Sequence, residues 1–197
     1  FQRWACKQVM GIASTMEWDK SELRMCPSCI QERDTCAHVL FCENAGRVET
    51  LWHTIDLMEG WMEEVDTDPI LLDCMAEYAC GRGGRTMVEI CTGLEESYQQ
   101  MTADQDAIGW RRFMEGMVCY HIRTIQSLYH FQEETHITPE RWTKGLILKL
   151  LEATHGQWLY RNTQIHDSVA GTQATLQKEE IQREIKEQMK MCSDGLL

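Results

Sequence analysis

The sequence predicts an all-α protein, and three observations support that prediction. Apolar residues recur three and four positions apart through most of the chain, which is the period of an amphipathic helix. Stretches with the two-residue alternation of a half-buried strand are few, and the 197 residues include only 3 prolines. Near the N-terminal end, cysteines and a histidine are spaced as metal ligands are, so we expect a small ligand-bearing turn before the helices.

That turn has the form C-x2-C-x8-H-x3-C, and its four positions are Cys26, Cys29, His38 and Cys42. Three thiolates and one imidazole are the ligand set of a closed, four-coordinate zinc site. If residues 37–42 are helical, His38 and Cys42 lie one turn apart on the same face. Because four protein ligands leave no position for water, the sequence predicts structural Zn2+ rather than a catalytic ion.

The alternative interpretation of this segment is a set of ordinary reduced cysteines beside a surface histidine, and the matched spacing favours the metal site. Cys36 is a spare candidate ligand, because it is only two residues from His38 and the two would not share one helical face. Asp34 and Thr35 are suitable N-cap residues for the helix that follows. A structural zinc ion can contribute on the order of 10 kcal/mol to the folding of such a segment.

The remaining elements follow from apolar periodicity and helix-end signals. Asp68 before Pro69, and Thr138 before Pro139, each place a good N-cap ahead of a proline at the first helical position. Breaks are expected at residues 43–47 and at the glycine-rich turn 81–85. The predicted helices cover residues 1–16, 51–62, 69–80, 87–101, 104–129, 139–159 and 172–191.

These elements divide the chain into three predicted parts: a zinc-binding module with a flanking helix at 1–47, a helical domain at 48–170 and a charged helical tail at 171–197. The predicted fold is thus a small zinc-binding turn followed by a helical bundle-like array. Residues 172–191 are rich in Gln, Glu and Lys, with a thin apolar stripe spaced like a short coiled-coil seam. This stripe is a candidate contact for a protein partner, and a solvated helix is the alternative.

Charge and cysteine usage limit the classes of partner. The net charge is -12 and the pI is about 5.0, which opposes broad, non-specific binding to phosphate backbones. The 10 cysteines include six scattered outside the motif, which indicates free thiols in an intracellular reducing compartment, nucleus or cytoplasm. No apolar run is long enough to span a membrane, so no membrane partner is expected. Because the chain begins at Phe1 without a methionine, we expect a piece of a longer protein.

No group of residues indicates an enzyme, so we expect no catalytic site. The turn at 81–85 lacks the lysine–hydroxyl ending of a phosphate-binding loop, and the acidic residues at 63–68 are typical of a solvated helix end and cap. The tryptophans at helical spacing indicate a core rather than a base-stacking platform. Five histidines lie six or more residues apart and are expected at separate positions, not in a second metal site: His121, His130, His136, His155 and His166.

The second most distinctive stretch is Trp158, Arg161, Asn162 and His166 on the predicted helix after Pro139. Two interpretations are open. In the first, Trp158 packs in the core while Arg161 and His166 cover the helix surface; in the second, the polar residues form a contact face. The first is favoured, because one helix face alone does not define a pocket.

Together the two motifs resemble the zinc-binding region that lies downstream of the reverse transcriptase domain in eukaryotic non-LTR retroelement (retrotransposon) proteins. Those regions typically have a CPxC pair, then an acidic residue, then an HxxxxC or HxxxC pair, often followed by a W-x2-RN element. Residues 1–16 are similar to the short helix that precedes the zinc turn there. The matching positions are Cys26, Cys29, Asp34, His38 and Cys42 in the first motif, and Trp158, Arg161, Asn162 and His166 in the second.

This resemblance implies a non-catalytic, zinc-stabilised C-terminal region of a reverse-transcriptase-like protein. In that family such zinc modules are thought to assist engagement of RNA or DNA. The chain itself contains no YxDD-type stretch and no spaced acidic set typical of a polymerase or an RNase H. The alternative function is an acidic helical protein-interaction or structural domain with no nucleic-acid role.

Overall fold

The computed structural model describes the backbone of residues 25–193, and the side chains of 25–165 except Cys36, together with that of Arg183. Within this range the regular structure is helical, apart from one isolated antiparallel bridge between Met25 and Arg33. The predicted all-α fold, with a Cys/His cluster ahead of the helices, is therefore confirmed. The predicted helix at 1–16 lies outside the described residues.

The helices of the described range follow one another along the chain with short connections. Here they are numbered in order as α1 (Cys36–Phe41), α2 (Ala45–Glu64), α3 (Pro69–Cys80), α4 (Met87–Ile90), α5 (Glu96–Ile108), α6 (Trp110–Met114), α7 (Tyr120–Gln132) and α8 (Pro139–Ser193). The chain divides into two compact units, of which the first ends at Tyr160 and the second begins at Arg161. The predicted three-part division at residues 47 and 170 stays a prediction.

Two helices begin where their cap signals predict. The Asp68 carboxylate accepts a hydrogen bond from the Leu71 amide at 2.7 Å, with Pro69 in the first turn of α3. The Thr138 hydroxyl accepts one from the Arg141 amide at 3.3 Å at the start of α8. Both predicted N-termini are confirmed.

The apolar periodicity becomes one continuous core in the first unit. Leu51, Ile55, Met58 and Met62 recur four, three and four residues apart on α2, and none is more than 1% exposed. Trp142 of α8 is also buried, and its indole N–H donates to the Thr67 hydroxyl at 2.9 Å. The expectation that the tryptophans are core residues is wrong for Trp52, which is 53% exposed on the outer face of α2. The core also takes side chains from each shorter helix, among them Leu40, Leu71, Met87, Met101, Phe113 and Ile122.

Two predicted helices are interrupted in the structure. The stretch predicted as one helix at 87–101 is two, because α4 ends at Ile90 and α5 begins at Glu96. The helix predicted at 104–129 breaks at Gly109 (φ +86°) and again near Gly116 (φ +83°). These left-handed conformations cost glycine little free energy, and they end a right-handed helix. The apolar spacing continues across the breaks because the successive helices face the same core.

Two other predicted boundaries are also wrong. The break expected at 43–47 is shorter, because Asn44 caps α2 and the helix begins at Ala45. Gly46 therefore lies inside the helix, where a Cβ would collide with the ring of Tyr160, so its small size permits close packing of α2 and α8. The tail expected as a separate helix at 172–191 is part of α8, which continues without a break to Ser193.

Candidate metal centre

The four predicted ligands converge on one point. The ligand atoms of Cys26, Cys29, His38 and Cys42 all lie within 4.8 Å of one another. The sulfurs of Cys26 and Cys42 are 3.7 Å apart, and the Cys29 sulfur is 3.3 Å from His38 Nε2. Tetrahedral zinc with bonds of about 2.3 Å to sulfur and about 2.0–2.1 Å to nitrogen needs edges of roughly 3.5–3.8 Å. The side chains are therefore positioned to bind a metal ion, with spacings compatible with zinc.

A tight turn places the first pair of ligands. The Cys26 amide donates to the Glu32 carbonyl at 2.7 Å, and the Ile30 amide donates to the Cys26 carbonyl at 2.9 Å. Ile30 takes the left-handed conformation, φ 57°, that reverses the chain immediately after Cys29. These bonds close the loop around Pro27 and Ser28 so that both thiols face the same side.

The second pair of ligands lies on α1 and at its C-terminal end. Thr35 is the N-cap, and its hydroxyl accepts a hydrogen bond from the His38 amide at 3.1 Å, while the other suggested cap, Asp34, is fully buried. His38 and Cys42 are one helical turn apart, as predicted, with Cys42 at the C-cap. Val39 and Leu40 are buried between them, so this short helix also contributes apolar contacts.

Glu32 orients the histidine ligand. Its carboxylate is 2.9 Å from His38 Nδ1, on the side of the ring away from the sulfurs. A proton on Nδ1 that is donated to this carboxylate leaves Nε2 with its lone pair toward the centre, as a ligand requires. No sequence pattern singled out Glu32, although a carboxylate is one of the groups that commonly accept the second ring N–H of a metal-bound histidine.

Arg47 of α2 is the group that attaches the turn to the helical body. Its side chain is 1% exposed; Nε donates to the Ser28 hydroxyl at 2.8 Å, and Nη1 donates to the Val39 carbonyl at 3.0 Å. Nη2 lies 4.0 Å from the Cys26 sulfur. One buried cation thus joins both halves of the ligand segment and opposes the negative charge of the thiolates. The sequence pattern gave no sign of this contact.

Arg82 makes a similar attachment from the glycine-rich turn at 81–85. Its Nη2 donates to the Leu40 carbonyl at 3.0 Å and to the Cys42 carbonyl at 2.8 Å. These carbonyls are free at the C-terminal end of α1, where no further helical turn supplies donors. Burial lowers the pKa of the Arg82 guanidinium. The expected turn is confirmed, and the structure adds that its arginine caps the ligand helix.

The two faces of the centre differ in solvent access. Cys26 and Cys42 are fully buried and His38 is 7% exposed, whereas Cys29 is only partly buried. On the Cys29 side a polar cleft of about 640 Å³ opens to solvent. Its lining residues are Ser28, Cys29, Gln31, Glu32, His38, Phe41, Glu43 and Asn44.

The same difference appears in the thiol pKa values. Burial raises the pKa of Cys29, but the amides of Gln31 and Glu32 and the His38 ring outweigh it and bring that pKa to about 7. For Cys42, burial and the neighbouring Cys26 side chain raise the pKa to about 12. A cation at the centre supplies the charge that lets the buried thiols ionise.

Within the part of the chain that the structure describes, no other set of three or more Cys, His, Asp or Glu side chains converges in this way. The side chain of Cys36 lies outside the described set, so its rank as a spare ligand stays a prediction. His121 pairs instead with Asp104, 2.8 Å from its carboxylate, and His130 is buried with Nε2 donating to the Asp66 carbonyl at 3.1 Å. These two histidines occupy separate positions, as expected.

The second sequence motif does not have the favoured arrangement, in which Trp158 packs in the core and Arg161 covers the helix surface. Trp158 is partly buried and stacks on His155 with ring centres 5.4 Å apart. Arg161 was expected on the surface but is 4% exposed, and its Nη1 donates to the Asn162 side-chain oxygen at 2.9 Å. The side chain of His166 lies outside the described residues.

Comparisons with known proteins add no relatives. No protein-family model matches the chain, no curated protein matches it, and no solved structure matches it. Among the helices in the described range, none is long and apolar enough to cross a membrane.

Proposed function

We propose that this chain is a non-catalytic, zinc-stabilised C-terminal region of a reverse-transcriptase-like retroelement protein, and that it assists engagement of RNA or DNA. The observation that supports a structural zinc is the convergence of three thiols and one imidazole within 4.8 Å. The retroelement part rests on the resemblance of the CPxC…HxxxC and W-x2-RN segments. The proposed compartment is intracellular and reducing, where such thiols persist.

The arrangement of the centre supports a structural role for the ion. Four protein ligands fill a tetrahedral shell, so a bound zinc would have no open position for a substrate or a water nucleophile. The arginines of α2 and of the 81–85 turn hold the ligand segment against the helical body. What the ion supplies is therefore rigidity of residues 26–42, and any contact with nucleic acid has to come from other side chains.

Four exposed cations are candidates for such contacts. Arg33, Arg112, Arg141 and Lys144 form no ion pair within the described residues, and all four side chains are exposed. Arg141 and Lys144 are three residues apart on α8, close enough to approach neighbouring phosphates. Because the whole chain carries a charge of -12, we expect weak binding with a strong dependence on salt.

The test is fluorescence anisotropy of a labelled single-stranded RNA of about 20 nucleotides, titrated with zinc-loaded protein at 25 mM and 200 mM salt. We expect saturable binding at low salt and at least a tenfold weaker affinity at high salt. The Arg141→Gln, Lys144→Gln double variant should lower the salt slope by roughly 1.4, for two lost phosphate contacts. Lys149→Gln is the matched control, because Lys149 is already paired with Glu152. Zinc-loaded protein that fails to bind at 25 mM salt contradicts the proposal.

A protein-interaction domain is the second candidate function, and exposed apolar side chains on α7 favour it. Tyr120, Leu128 and Phe131 are 73%, 57% and 84% exposed, and their spacing of eight and three residues puts them on one helix face. Sedimentation velocity over a hundredfold concentration range distinguishes the candidates. Association that Phe131→Ser or deletion of residues 172–191 removes would support this function. A monomer at every concentration would count against self-association through either surface.

A further inference from the structure

A second pair of cysteines lies close together, away from the metal centre. Cys74 of α3 and Cys91 at the C-terminal end of α4 have their sulfurs 3.1 Å apart, with the Cys91 thiol donating to Cys74. Both are free thiols in the structure, and they are 4% and 1% exposed. We propose that these two cysteines are a reversible dithiol–disulfide site that peroxide oxidises and that low-molecular-weight thiols reduce.

A metal is the first alternative for two adjacent thiols, and the surroundings do not favour it. A zinc ion takes three or four protein ligands. In the described range, the one convergent group of three or more ligand-type side chains is the set at the predicted zinc centre. The negative charge of Asp106 acts on Cys91, but both of its carboxylate oxygens accept hydrogen bonds, from the amides of Met87 and Val88 at 2.8 and 3.0 Å.

The geometry of the pair suits a disulfide. A disulfide bond is about 2.05 Å long, so the two sulfurs, now 3.1 Å apart, need to approach by roughly 1 Å. The bond would close a loop across the turn at 81–85 and tie α3 to the end of α4. Because the Cys91 thiol donates to its sulfur, the pKa of Cys74 is lowered, and the same contact raises that of Cys91. Cys74 is therefore the thiol that loses its proton more readily, and Cys91 is the resolving thiol.

The oxidation balances with one molecule of hydrogen peroxide. The Cys74 thiolate attacks one peroxide oxygen, the O–O bond breaks, and hydroxide leaves, which gives a sulfenic acid on Cys74. The Cys91 sulfur then attacks the Cys74 sulfur and displaces the hydroxyl group, which takes the Cys91 proton and leaves as water. The hydroxide takes up the proton that Cys74 lost on ionisation, so one peroxide gives two waters and the two thiols together lose two electrons. Exchange with two glutathione thiols restores the dithiol and leaves glutathione disulfide.

The test uses the full, zinc-loaded chain treated with a few equivalents of hydrogen peroxide, then alkylated under denaturing conditions and digested. Trypsin cuts at Arg82 and Arg85, between the two cysteines, and a protease that cuts after Glu77 separates Cys74 from Cys80. We expect one new disulfide crosslink, between the Cys74 and Cys91 peptides, which dithiothreitol removes. The protein should keep its zinc. The melting temperature should rise by roughly 6–12 °C, because a loop of this length is closed in the unfolded chain.

Two variants test the roles of Cys74 as the attacking thiol and of Cys91 as the resolving thiol. Cys91→Ser should leave Cys74 without a resolving thiol, so that a dimedone-type reagent labels a sulfenic acid there, whereas Cys80→Ser should form the crosslink as the parent does. Peptide mapping of the parent itself needs no variant and decides the proposal if either variant does not fold. Recovery of Cys74 and Cys91 as fully alkylated thiols, or crosslinking of either one to a different cysteine, overturns it.

Discussion

The turn that carries the metal ligands and the helical body behind it are held together by different forces. Residues 25–44 gather four ligand atoms within 4.8 Å and are attached by the guanidinium groups of Arg47 and Arg82. The body from α2 onward buries a large apolar cluster. The short segment has few apolar residues and is held by charged hydrogen bonds, with side chains positioned to add metal coordination, whereas the long one is held by area removed from water.

The ligand turn and the helical body are joined by both apolar and polar contacts. Leu40 of α1 joins the apolar core, and Phe41 packs on Trp110 of α6 with ring centres 4.9 Å apart. Beside these apolar contacts, the Arg47 guanidinium donates to the Val39 carbonyl and that of Arg82 to the Cys42 carbonyl. The comparison predicts that loss of the metal disrupts the turn and leaves the body folded, and that damage to the body core leaves the ligand set intact until the body unfolds.

The largest expected effect is the removal of the ligands. Cys26→Ser with Cys29→Ser should take zinc from one equivalent to none in elemental analysis, because two thiolates cannot be replaced by hydroxyls. A loss on the order of 10 kcal/mol of coordination energy should release residues 25–44, seen as rapid amide hydrogen exchange there with slow exchange kept in α2 and α3. Cys80→Ser is the matched control and should keep its zinc. A double variant that binds a full equivalent would show that the centre is not the site.

A core substitution tests the other region. Phe113 is fully buried on α6 and meets Tyr78 edge-on with ring centres 5.3 Å apart. Phe113→Ala should lower the free energy of unfolding by about 3–5 kcal/mol in urea denaturation, through lost transfer energy and a cavity. Zinc content under native conditions should not change. Phe131→Ala, at a position 84% exposed, is the control and should fall within about 0.5 kcal/mol of the parent. Equal losses in both variants would contradict the burial assigned to Phe113.

Arg47 tests the connection between the regions. Arg47→Met keeps most of the buried volume but leaves the Val39 carbonyl and the Ser28 hydroxyl without their donor, at a cost of about 1–3 kcal/mol. Zinc affinity, measured by competition with a chromogenic chelator, should fall by roughly tenfold, as for other groups that support ligands. Arg85→Met is the control, since Arg85 is an exposed partner of Glu77. An unchanged zinc affinity would mean that Arg47 attaches the turn without supporting its ligands.

The dependence of zinc affinity on pH tests the ligand thiols themselves. Because burial raises the pKa of the metal-free Cys42 thiol to about 12, zinc has to displace its proton across the whole neutral range. Cys29, whose pKa is about 7 where local hydrogen bonds outweigh burial, adds a second displaced proton as the pH falls below 7. Zinc affinity should therefore rise with pH, by at least about tenfold per unit between pH 7 and 8 and more steeply between 6 and 7. A pH-independent affinity would exclude Cys42 as a ligand.

Much of the ligand set could be predicted from the sequence because its rule is local. Cys26 and Cys29 share a tight turn, and His38 and Cys42 share a helix face, so spacing alone brings each pair together. The start of α3 at Pro69 was predictable for the same reason, since a cap acts within one helical turn. The breaks at Gly109 and Gly116 were not, because a glycine inside an apolar-periodic stretch fits either a continuous helix or a helix end.

By itself, then, the sequence determined the all-α class, the four ligand positions and the proline-marked helix starts, since each depends on residues within a few positions of one another. The tertiary structure decided which side chains complete the centre. Arg47, Arg82 and Glu32 act through folded contacts that no spacing rule encodes, and the 3.1 Å approach of Cys74 to Cys91 exists only because α3 and α4 pack together. Contacts between separate helices depend on how the apolar core brings those helices together, and that core is a property of the whole first unit.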